Sequence, residues 1–325
     1  MREITDDKLI FLISQPRSGS SLLQQLILNS NEISSTPEPW FMLNLIYTYK
    51  NNDITVSYNP NFAVINFKAY LQKTGDGLME FKNSIKSMAL SLYSKNSSKN
   101  HFFLDKTPRY YHIINELYEL FPSAKFVFLV RNPLNVFASI LDYNFKGDSI
   151  KLIASEDRFD DLFLAPTKMK QALSLYSNNI IVKYEDIVEN PKEEIERIFN
   201  YLEIEVPQNS ESYSLDRDFI DVKSIDTKSL HKHNKPIKNY NDSWKTSINT
   251  TQKKILAVDF IKRLKNSDSN YFDYNLDNIL EILNKHKPKQ KTHFNLSFGY
   301  FNSKEEKLNF LQLIKKRAFL KLQSI

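Results

Sequence analysis

Serine, glycine and arginine are concentrated at residues 16–21, which read PRSGSS. An apolar run precedes this segment, and a helix-like pattern that begins at Ser20 follows it. In a strand-turn-helix unit, the backbone N–H groups of the turn converge at the helix N-terminus and can bind an anion. Gly19 permits the positive φ that such a turn needs, and the forked charge of Arg17 suits phosphate. The segment predicts a phosphate-binding turn made of Arg17, Ser18, Gly19, Ser20 and Ser21, with an ordinary helix cap as the alternative.

This turn lacks the GxxxxGK[ST] pattern of a Walker A loop. We also expect no apolar strand that ends in the aspartate with which a kinase holds Mg²⁺. The sequence therefore favours binding of a nucleotide phosphate without a metal ion. His231 and His233 form an H-x-H pair without patterned partners, so no metal site is expected. Two alternatives stay open: a P-loop-type nucleotide or small-molecule kinase, and a non-catalytic nucleotide-binding scaffold.

A second group of candidate residues follows the apolar run at 125–130. Arg131 stands where this predicted strand ends, so its side chain can reach the crevice in which parallel α/β sheets bind ligands. Ser139 lies eight residues further on, in a helix predicted to begin at Pro133. Taken alone, each residue has a structural alternative: Arg131 could form a salt bridge at the strand end, and Ser139 could fill an interface between helices. Together with the turn at Gly19, they indicate a second phosphate contact.

Strand-like and helix-like hydrophobic patterns alternate along the chain and define the elements that position these residues. Runs that are apolar on both faces, as in strands of a covered parallel sheet, occupy 9–14, 101–105, 125–130 and 180–183. Helical patterns occupy 20–28, 77–93, 108–120, 133–145, 167–176 and 191–202. The fold class predicted is α/β: a P-loop-like doubly wound parallel sheet flanked by helices, with a helical C-terminal appendage.

Other segments carry weaker signals. The pairs Thr107-Pro108, Asn132-Pro133 and Asn190-Pro191 each place a capping side chain before a proline at the first helical position. Residues 50–76 are expected to form an excursion over the site, and residues 205–247 are expected to form long loops.

The sequence resembles the sulfotransferases that use 3′-phosphoadenosine 5′-phosphosulfate (PAPS). The likeness spans residues 8–204 and is nearest the branch that includes bacterial small-molecule and tyrosylprotein sulfotransferases. It rests on PRSGSS (16–21), FLDKTPRYY (103–111), LFPSAKFVFLVRNPLNVFASIL (120–141) and VKYEDIVENPKEEIERIFNYLEI (182–204). The resemblance implies that the PRSGSS turn binds the 5′-phosphosulfate and that Arg131 and Ser139 bind the 3′-phosphate. The desulfated nucleotide, PAP, is then the product.

The resemblance also implies catalytic roles. Lys106, in DKTP, would stabilise the departing phosphate oxygen, with Arg17 beside the 5′-phosphate. Glu38, in TPEPWFML, would take the proton of the acceptor hydroxyl, and a loop carboxylate paired with a lysine is the alternative for it. Another branch of the family has a histidine base in a KTHxP segment. That segment reads KTPRY here, which favours Glu38 and leaves His112 as a fallback.

Two further nucleotide contacts follow from the same resemblance. They are Tyr184, in KYEDI, and Lys238, in a stretch at 235–245 that is similar to the loop closing over the 3′-phosphate.

We expect a sulfotransferase domain at 1–264 and a basic helical extension at 265–325 packed on or beside it. Leu308, Leu311, Ile314 and Leu322 form a helical stripe in that extension, which indicates docking on the same chain or in a homodimer.

Composition limits the partners. The chain has 325 residues, 41% of them hydrophobic, and no cysteine, so thiolate metal sites are excluded and a cytoplasmic enzyme is expected. No apolar stretch approaches the length of about 18 residues that a membrane span needs. The net charge is +6, but residues 285–325 carry +8 and the preceding residues −2. The charge of the main part therefore gives no indication of nucleic-acid binding. The acceptor that the family resemblance implies is a small-molecule or carbohydrate hydroxyl.

Overall fold

A computed structural model describes residues 3–50, 59–73, 75–97, 101–213, 235–236, 242–267, 270–292 and 296–298. The chain divides into two compact units. The first comprises Met1–Arg131 and Ala165–Lys238, and the second comprises Asn132–Leu164 and Asn239–Ile325. The boundary expected at residue 264 stays a prediction. Lys238, His231, His233 and the leucine stripe at 308–322 lie outside the described residues.

The first unit is built on a parallel sheet of five strands in the order β2-β3-β1-β4-β5. The strands are β1 (Leu9–Ser14), β2 (Ile33–Ser35), β3 (Phe102–Asp105), β4 (Lys125–Val130) and β5 (Asn179–Lys183). Every residue of β1 and β3 is buried, as is typical of strands covered on both faces. Phe11 of β1 anchors the core, with its ring centroid 5.3 Å from that of Phe126 and 5.6 Å from that of Phe121.

Helices of the first unit connect these strands. They are α1 (Ser20–Ile27), α2 (Phe41–Ile46), α3 (Pro60–Gln72), α4 (Gly77–Ser97), α5 (Ile114–Leu120), α9 (Ala165–Leu175), α10 (Tyr184–Glu189) and α11 (Pro191–Leu202), with 3₁₀ helices at Asp6–Lys8 and Pro108–Ile113. The α/β class, a parallel sheet flanked by helices, is confirmed. Parallel connections bring the carboxyl ends of all five strands to one edge of the sheet.

The second unit is helical in its described residues. Its elements are α6 (Pro133–Phe145), α7 (Ser149–Ala154), α8 (Glu156–Phe159), a π-helical turn (Asp160–Leu164), α12 (Trp244–Ser247), α13 (Thr251–Ser267) and α14 (Leu276–Lys285). Phe137 of α6 stacks on Phe260 of α13, with ring centroids 5.5 Å apart. In α13, Gln252 holds Leu296 through two hydrogen bonds of 2.7 Å each. In the described part of both units, no helix combines the length and apolarity that crossing a membrane requires.

Several local predictions need correction. The helix predicted at 108–120 is a 3₁₀ helix followed by α5, because the backbone of Ile113 leaves the helical region at φ −128°. Residues 60–72, expected to be an excursion of weak pattern, form α3. That helix buries only Val64 and Leu71, so its apolar periodicity is faint. Strand β2 was missed because it has three residues, two of them serine.

The three predicted caps also differ from one another. The Asn132 side chain accepts a hydrogen bond from the Leu134 N–H at 3.0 Å, which confirms that cap. Thr107 and Asn190 make no capping hydrogen bond with their side chains. The Thr107 hydroxyl donates instead to Asp105 Oδ1, at 3.1 Å.

Candidate active site

Each strand of the sheet is followed by a candidate site residue at its carboxyl end. In the order of the sheet these are Glu38 after β2, Lys106 after β3, the turn at residues 15–19 after β1, Arg131 after β4 and Tyr184 after β5. Ligands of open α/β sheets bind at this edge. The strand order therefore places five separate segments of the chain along one side of the first unit.

The turn after β1 contains two residues with positive φ and leads directly into a helix N-terminus. Arg17 has φ 72° and Gly19 has φ 96°, so two left-handed residues flank Ser18. Gly19 is the N-cap of α1, whose first N–H groups have no carbonyl of the same helix to bind. The Ser18 N–H closes the turn on the Gln15 carbonyl at 3.3 Å. Ser18 is fully buried, and its hydroxyl has no hydrogen-bond partner among the described residues.

Arg131, which follows β4, and Tyr184, which follows β5, contact this turn. A Cβ added to Gly19 would lie 2.6 Å from Tyr184 Cε2 and nearer still to Cδ2, so only glycine fits against the ring. The Arg131 guanidinium lies 4.2 Å from the centroid of the same ring, in a cation–π contact. Its Nη1 donates to the Arg17 carbonyl at 3.1 Å. Three predicted nucleotide contacts thus form one packed cluster.

Lys106 and Glu38 form an ion pair. The Lys106 side chain is fully buried, and its Nζ donates to Glu38 Oε1 at 2.8 Å. Glu38 Oε2 accepts a hydrogen bond from Trp40 Nε1 at 3.2 Å. Glu38 keeps 10% of its side chain exposed, so it is the partner nearer to solvent. The two residues predicted to be catalytic therefore contact each other.

A hydrogen-bonded path that sequence reasoning missed attaches the Glu38 segment to the helix after the turn. Gln24 of α1 donates through Nε2 to Ser35 Oγ at 2.7 Å and to the Thr36 carbonyl at 3.1 Å. The Ser35 hydroxyl in turn donates to the Leu104 carbonyl of β3 at 2.6 Å. Gln24 is 1% exposed, and a glutamine buried on the apolar face of a predicted helix is the signal that could have identified it.

Asp105, the last residue of β3, makes contacts that the sequence did not predict. The strand expected at 101–105 ends in this aspartate, beside β1, and the expectation that no such strand carries a Mg²⁺-holding aspartate stays a prediction. The Asp105 carboxylate is fully buried and accepts hydrogen bonds from Tyr93, Tyr110 and Thr107. Burial raises the pKa of Asp105 to about 6, against the lowering effect of these three donors and of Lys106.

Comparison with known proteins identifies the family. Residues 10–208 match the family model described as "Sulfotransferase family", which is more than half of the chain. The chain belongs to the sulfotransferase family. The chain is 26% identical over 213 residues to nodulation protein NoeE of Sinorhizobium fredii (strain NBRC 101917 / NGR234). The match covers 58% of the chain and 48% of NoeE, so the chain spans about half the length of this curated relative.

Two solved structures share the fold of this chain. The sulfotransferase domain from the curacin biosynthetic pathway aligns with a TM-score of 0.53 at 21% identity, covering 73% of this chain and 90% of that one. The sulfotransferase domain from the Synechococcus PCC 7002 olefin synthase aligns with a TM-score of 0.52 at 18% identity, covering 76% and 89%. Both likenesses support the same α/β architecture.

Not all of the predicted site residues lie in the first unit. Ser139 lies on α6 in the second unit, and Lys238 lies outside the described residues. His112, the fallback base, packs against Tyr111 with ring centroids 4.2 Å apart. Among the described residues, no group of three or more histidine, aspartate or glutamate side chains is arranged to hold a metal ion.

Proposed function

We propose that this protein transfers the sulfuryl group of PAPS to a hydroxyl group of a small-molecule or carbohydrate acceptor. The observation that carries the proposal is the placement of Lys106, Glu38 and the PRSGSS turn at one edge of the sheet, where parallel α/β sheets bind ligands, with Lys106 Nζ 2.8 Å from Glu38 Oε1. A cation for the leaving group and a base for the acceptor are the two groups that sulfuryl transfer requires, and both are present. Membership of the sulfotransferase family supports the same reaction.

The turn after β1 fits the 5′-phosphate end of the donor. The Ser18 hydroxyl is buried without a partner among the described residues, which is costly unless a ligand oxygen accepts its hydrogen bond. The N–H groups of Ser20 and Ser21 point out of the first turn of α1, where the helix dipole favours negative charge. Arg131 would bind the 3′-phosphate, and Tyr184 would line the nucleotide site beside it. The unpartnered hydroxyl, the helix N-terminus and the arginine together suit a nucleotide with two phosphate groups.

The residues of the chain divide the chemistry between them. PAPS supplies an activated sulfuryl group whose departure leaves a phosphate oxygen that gains negative charge. Lys106 stabilises that oxygen electrostatically, and its burial strengthens the effect because the local dielectric constant is low. Arg17 adds positive charge next to the 5′-phosphate. The protein needs to hold donor and acceptor in line, as in phosphoryl transfer, and does not form a covalent intermediate.

Glu38 removes the proton of the acceptor hydroxyl. Its Oε2 is oriented by the indole N–H of Trp40, and its Oε1 is held by Lys106. Glu38 is the partially exposed partner of the pair, so an acceptor hydroxyl reaches it before it reaches Lys106. Insertion of the hydroxyl beside Glu38 separates the two charges and releases the lysine toward the leaving oxygen.

The proposal is tested by incubating the full chain with ³⁵S-labelled PAPS and a panel of hydroxyl acceptors, and measuring PAP formation and labelled product. We expect transfer to at least one acceptor and a loss of 10²-fold or more in kcat for Glu38→Gln, in line with the contribution of a general base. Glu193→Gln, at an exposed position of α11, is the matched control and should leave kcat unchanged.

Two outcomes would contradict this function. A kinase would be stabilised in a thermal-shift assay by ATP·Mg²⁺ and not by PAP. A binding scaffold would bind PAPS without consuming it in the presence of any acceptor, and Glu38→Gln would then have no effect.

A further inference from the structure

The buried carboxylate of Asp105 is connected to both members of the proposed catalytic pair. Its Oδ2 accepts hydrogen bonds from the hydroxyl groups of Tyr93 at 2.6 Å and Tyr110 at 3.0 Å. Its Oδ1 accepts a hydrogen bond from the Thr107 hydroxyl at 3.1 Å. Asp105, Thr107 and Tyr110 are all 0% exposed, and Tyr93 is 1% exposed. Three hydroxyl donors that converge on one fully buried carboxylate form a site that can hold an anion.

The accepting carboxylate and one of its donors flank Lys106 in the chain. Asp105 precedes Lys106 and Thr107 follows it, so the Thr107–Asp105 hydrogen bond spans the backbone of the lysine. Tyr110 lies one helical turn after Thr107 and also donates to the Asp105 carboxylate. Its backbone N–H donates to the Thr107 carbonyl at 3.0 Å. A lysine side chain has four rotatable bonds, so the position of its backbone decides where its Nζ can reach. The Asp105 carboxylate therefore fixes the backbone position of Lys106, whose side chain pairs with Glu38.

The third donor extends the network toward Glu38. The Tyr93 ring lies between Phe103 of β3 and Phe41 of α2, with centroid distances of 4.8 Å and 5.1 Å. Phe41 begins the helix that follows the Glu38 segment. The same α2 contacts the 3₁₀ helix that carries Tyr110. Both tyrosines thus link the carboxylate to the segment that carries the base.

We propose that Asp105 is a positioning residue that, as an anion, holds Lys106 and Glu38 in register through Thr107, Tyr110 and Tyr93. This inference rests on the proposed function, in which Lys106 and Glu38 are catalytic. Asp105 contacts neither of the substrates that the function requires and acts only through its neighbours. Loss of its charge would loosen the pair without removing either catalytic group.

A pH dependence follows from this arrangement. In the described part of the chain, the titratable groups that act on Asp105 are Tyr93 from α4, Tyr110 from the 3₁₀ helix and Lys106 beside it. Burial raises the pKa of both tyrosine hydroxyls well above the ordinary value, so they stay protonated donors at neutral pH. Because burial also raises the pKa of Asp105 to about 6, the carboxylate gains a proton just below neutral pH. The relative position of Lys106 and Glu38 is then lost as the pH falls through this range.

The experiment compares wild type with Asp105→Asn, Tyr93→Phe and Tyr110→Phe, with Tyr118→Phe, a buried tyrosine of α5, as the control. We expect Asp105→Asn to lower kcat by about 10- to 100-fold, the size of effect that a misplacement of about 1 Å produces. The Kd for PAP should change by less than about threefold. The acidic limb of the kcat profile near pH 6 should disappear in Asp105→Asn. The limb should move to higher pH in Tyr93→Phe and Tyr110→Phe, since each loses a donor that lowers the pKa of Asp105.

A purely structural role would reduce stability without moving that limb, and so would overturn the inference, as would an unchanged kcat in Asp105→Asn. If Asp105→Asn does not fold, the shift of the limb in Tyr93→Phe decides the question. A crystal structure of Asp105→Asn gives a readout that does not depend on turnover: we expect the 2.8 Å contact between Lys106 Nζ and Glu38 Oε1 to be lost. If wild type transfers no sulfuryl group, the proposed function fails, and this distance still tests the positioning role.

Discussion

Replacement of Gly19 by alanine tests how the nucleotide turn is built. At this position the backbone has φ 96° and ψ 18°, and the added Cβ would lie 2.6 Å from Tyr184 Cε2 and nearer still to Cδ2. The methyl group cannot be accommodated unless the tyrosine ring moves. Movement of that ring also breaks its 4.2 Å contact with the Arg131 guanidinium.

The expected destabilisation has two parts. A left-handed backbone costs a residue with a Cβ roughly 1–2 kcal/mol. Overpacking in a filled interior adds about 1–3 kcal/mol. We therefore expect Gly19→Ala to lower the free energy of unfolding by about 2–5 kcal/mol and to weaken PAP binding by at least tenfold.

Gly75 provides a matched control, because its φ is also positive, at 74°, and a Cβ added there meets nothing within 4 Å. Gly75→Ala should therefore show only the backbone cost of roughly 1–2 kcal/mol and should leave PAP binding unchanged. Unfolding in urea gives the two free energies, and isothermal titration calorimetry gives the two dissociation constants. In Gly19→Ala combined with Tyr184→Ala, the clash is absent, so the double variant should be less destabilised than the sum of the single variants.

Equal losses of stability in the two glycine variants would refute this reasoning, because the clash with Tyr184 would then contribute nothing. Strict additivity of Gly19→Ala and Tyr184→Ala would refute it as well. Unchanged PAP binding in Gly19→Ala would leave the packing argument intact but remove the turn from the nucleotide site.

Three further predictions follow from the site. Lys106→Ala should lower kcat by about 10²- to 10³-fold while the Kd for PAP changes less than threefold, and comparable losses in both would assign the lysine to binding instead. Arg131→Ala should weaken binding of PAP more than that of adenosine 5′-monophosphate, as calorimetry with both nucleotides can measure. Equal losses would mean that the arginine only supports the Arg17 carbonyl. The pKa of Asp105 is raised by folding from 3.8 to about 6, so its contribution to stability is present below pH 4 and is lost as the pH rises to 6. Relative to Asp105→Asn, wild type should lose roughly 3 kcal/mol of unfolding free energy between pH 4 and 6.5, and parallel pH profiles would contradict this.

The central strands could be predicted from sequence because burial on both faces leaves an uninterrupted apolar run. Strand β4 matches the prediction at both ends, and β3 and β5 differ by one residue. Helix α3 could not be predicted from periodicity, since most of its residues are exposed. Its Asn59-Pro60 start carries the same cap signal as Asn132-Pro133, and the Asn59 side chain accepts from the Phe62 N–H at 3.0 Å.

The residue types of the site could be predicted, but their contacts could not. Spacing and resemblance identified Lys106, Glu38 and the turn as separate features. Their neighbours depend on the strand order, which places β4 and β5 on one side of β1 and β3 and β2 on the other. The network around Asp105 joins α4, β3 and the 3₁₀ helix, and no local pattern connects positions 93, 105 and 110.

The strand order also separates two tasks that evolution can modify independently. Strand β1 divides the sheet edge: Lys106 and Glu38, the proposed catalytic residues, follow β3 and β2 on one side, and Arg131 and Tyr184, the proposed nucleotide contacts, follow β4 and β5 on the other. The helices α2, α3 and α4 are inserted between β2 and β3. Under the proposed function, changes in this insertion would alter the surroundings of Glu38 while leaving the Arg131–Tyr184 contact intact.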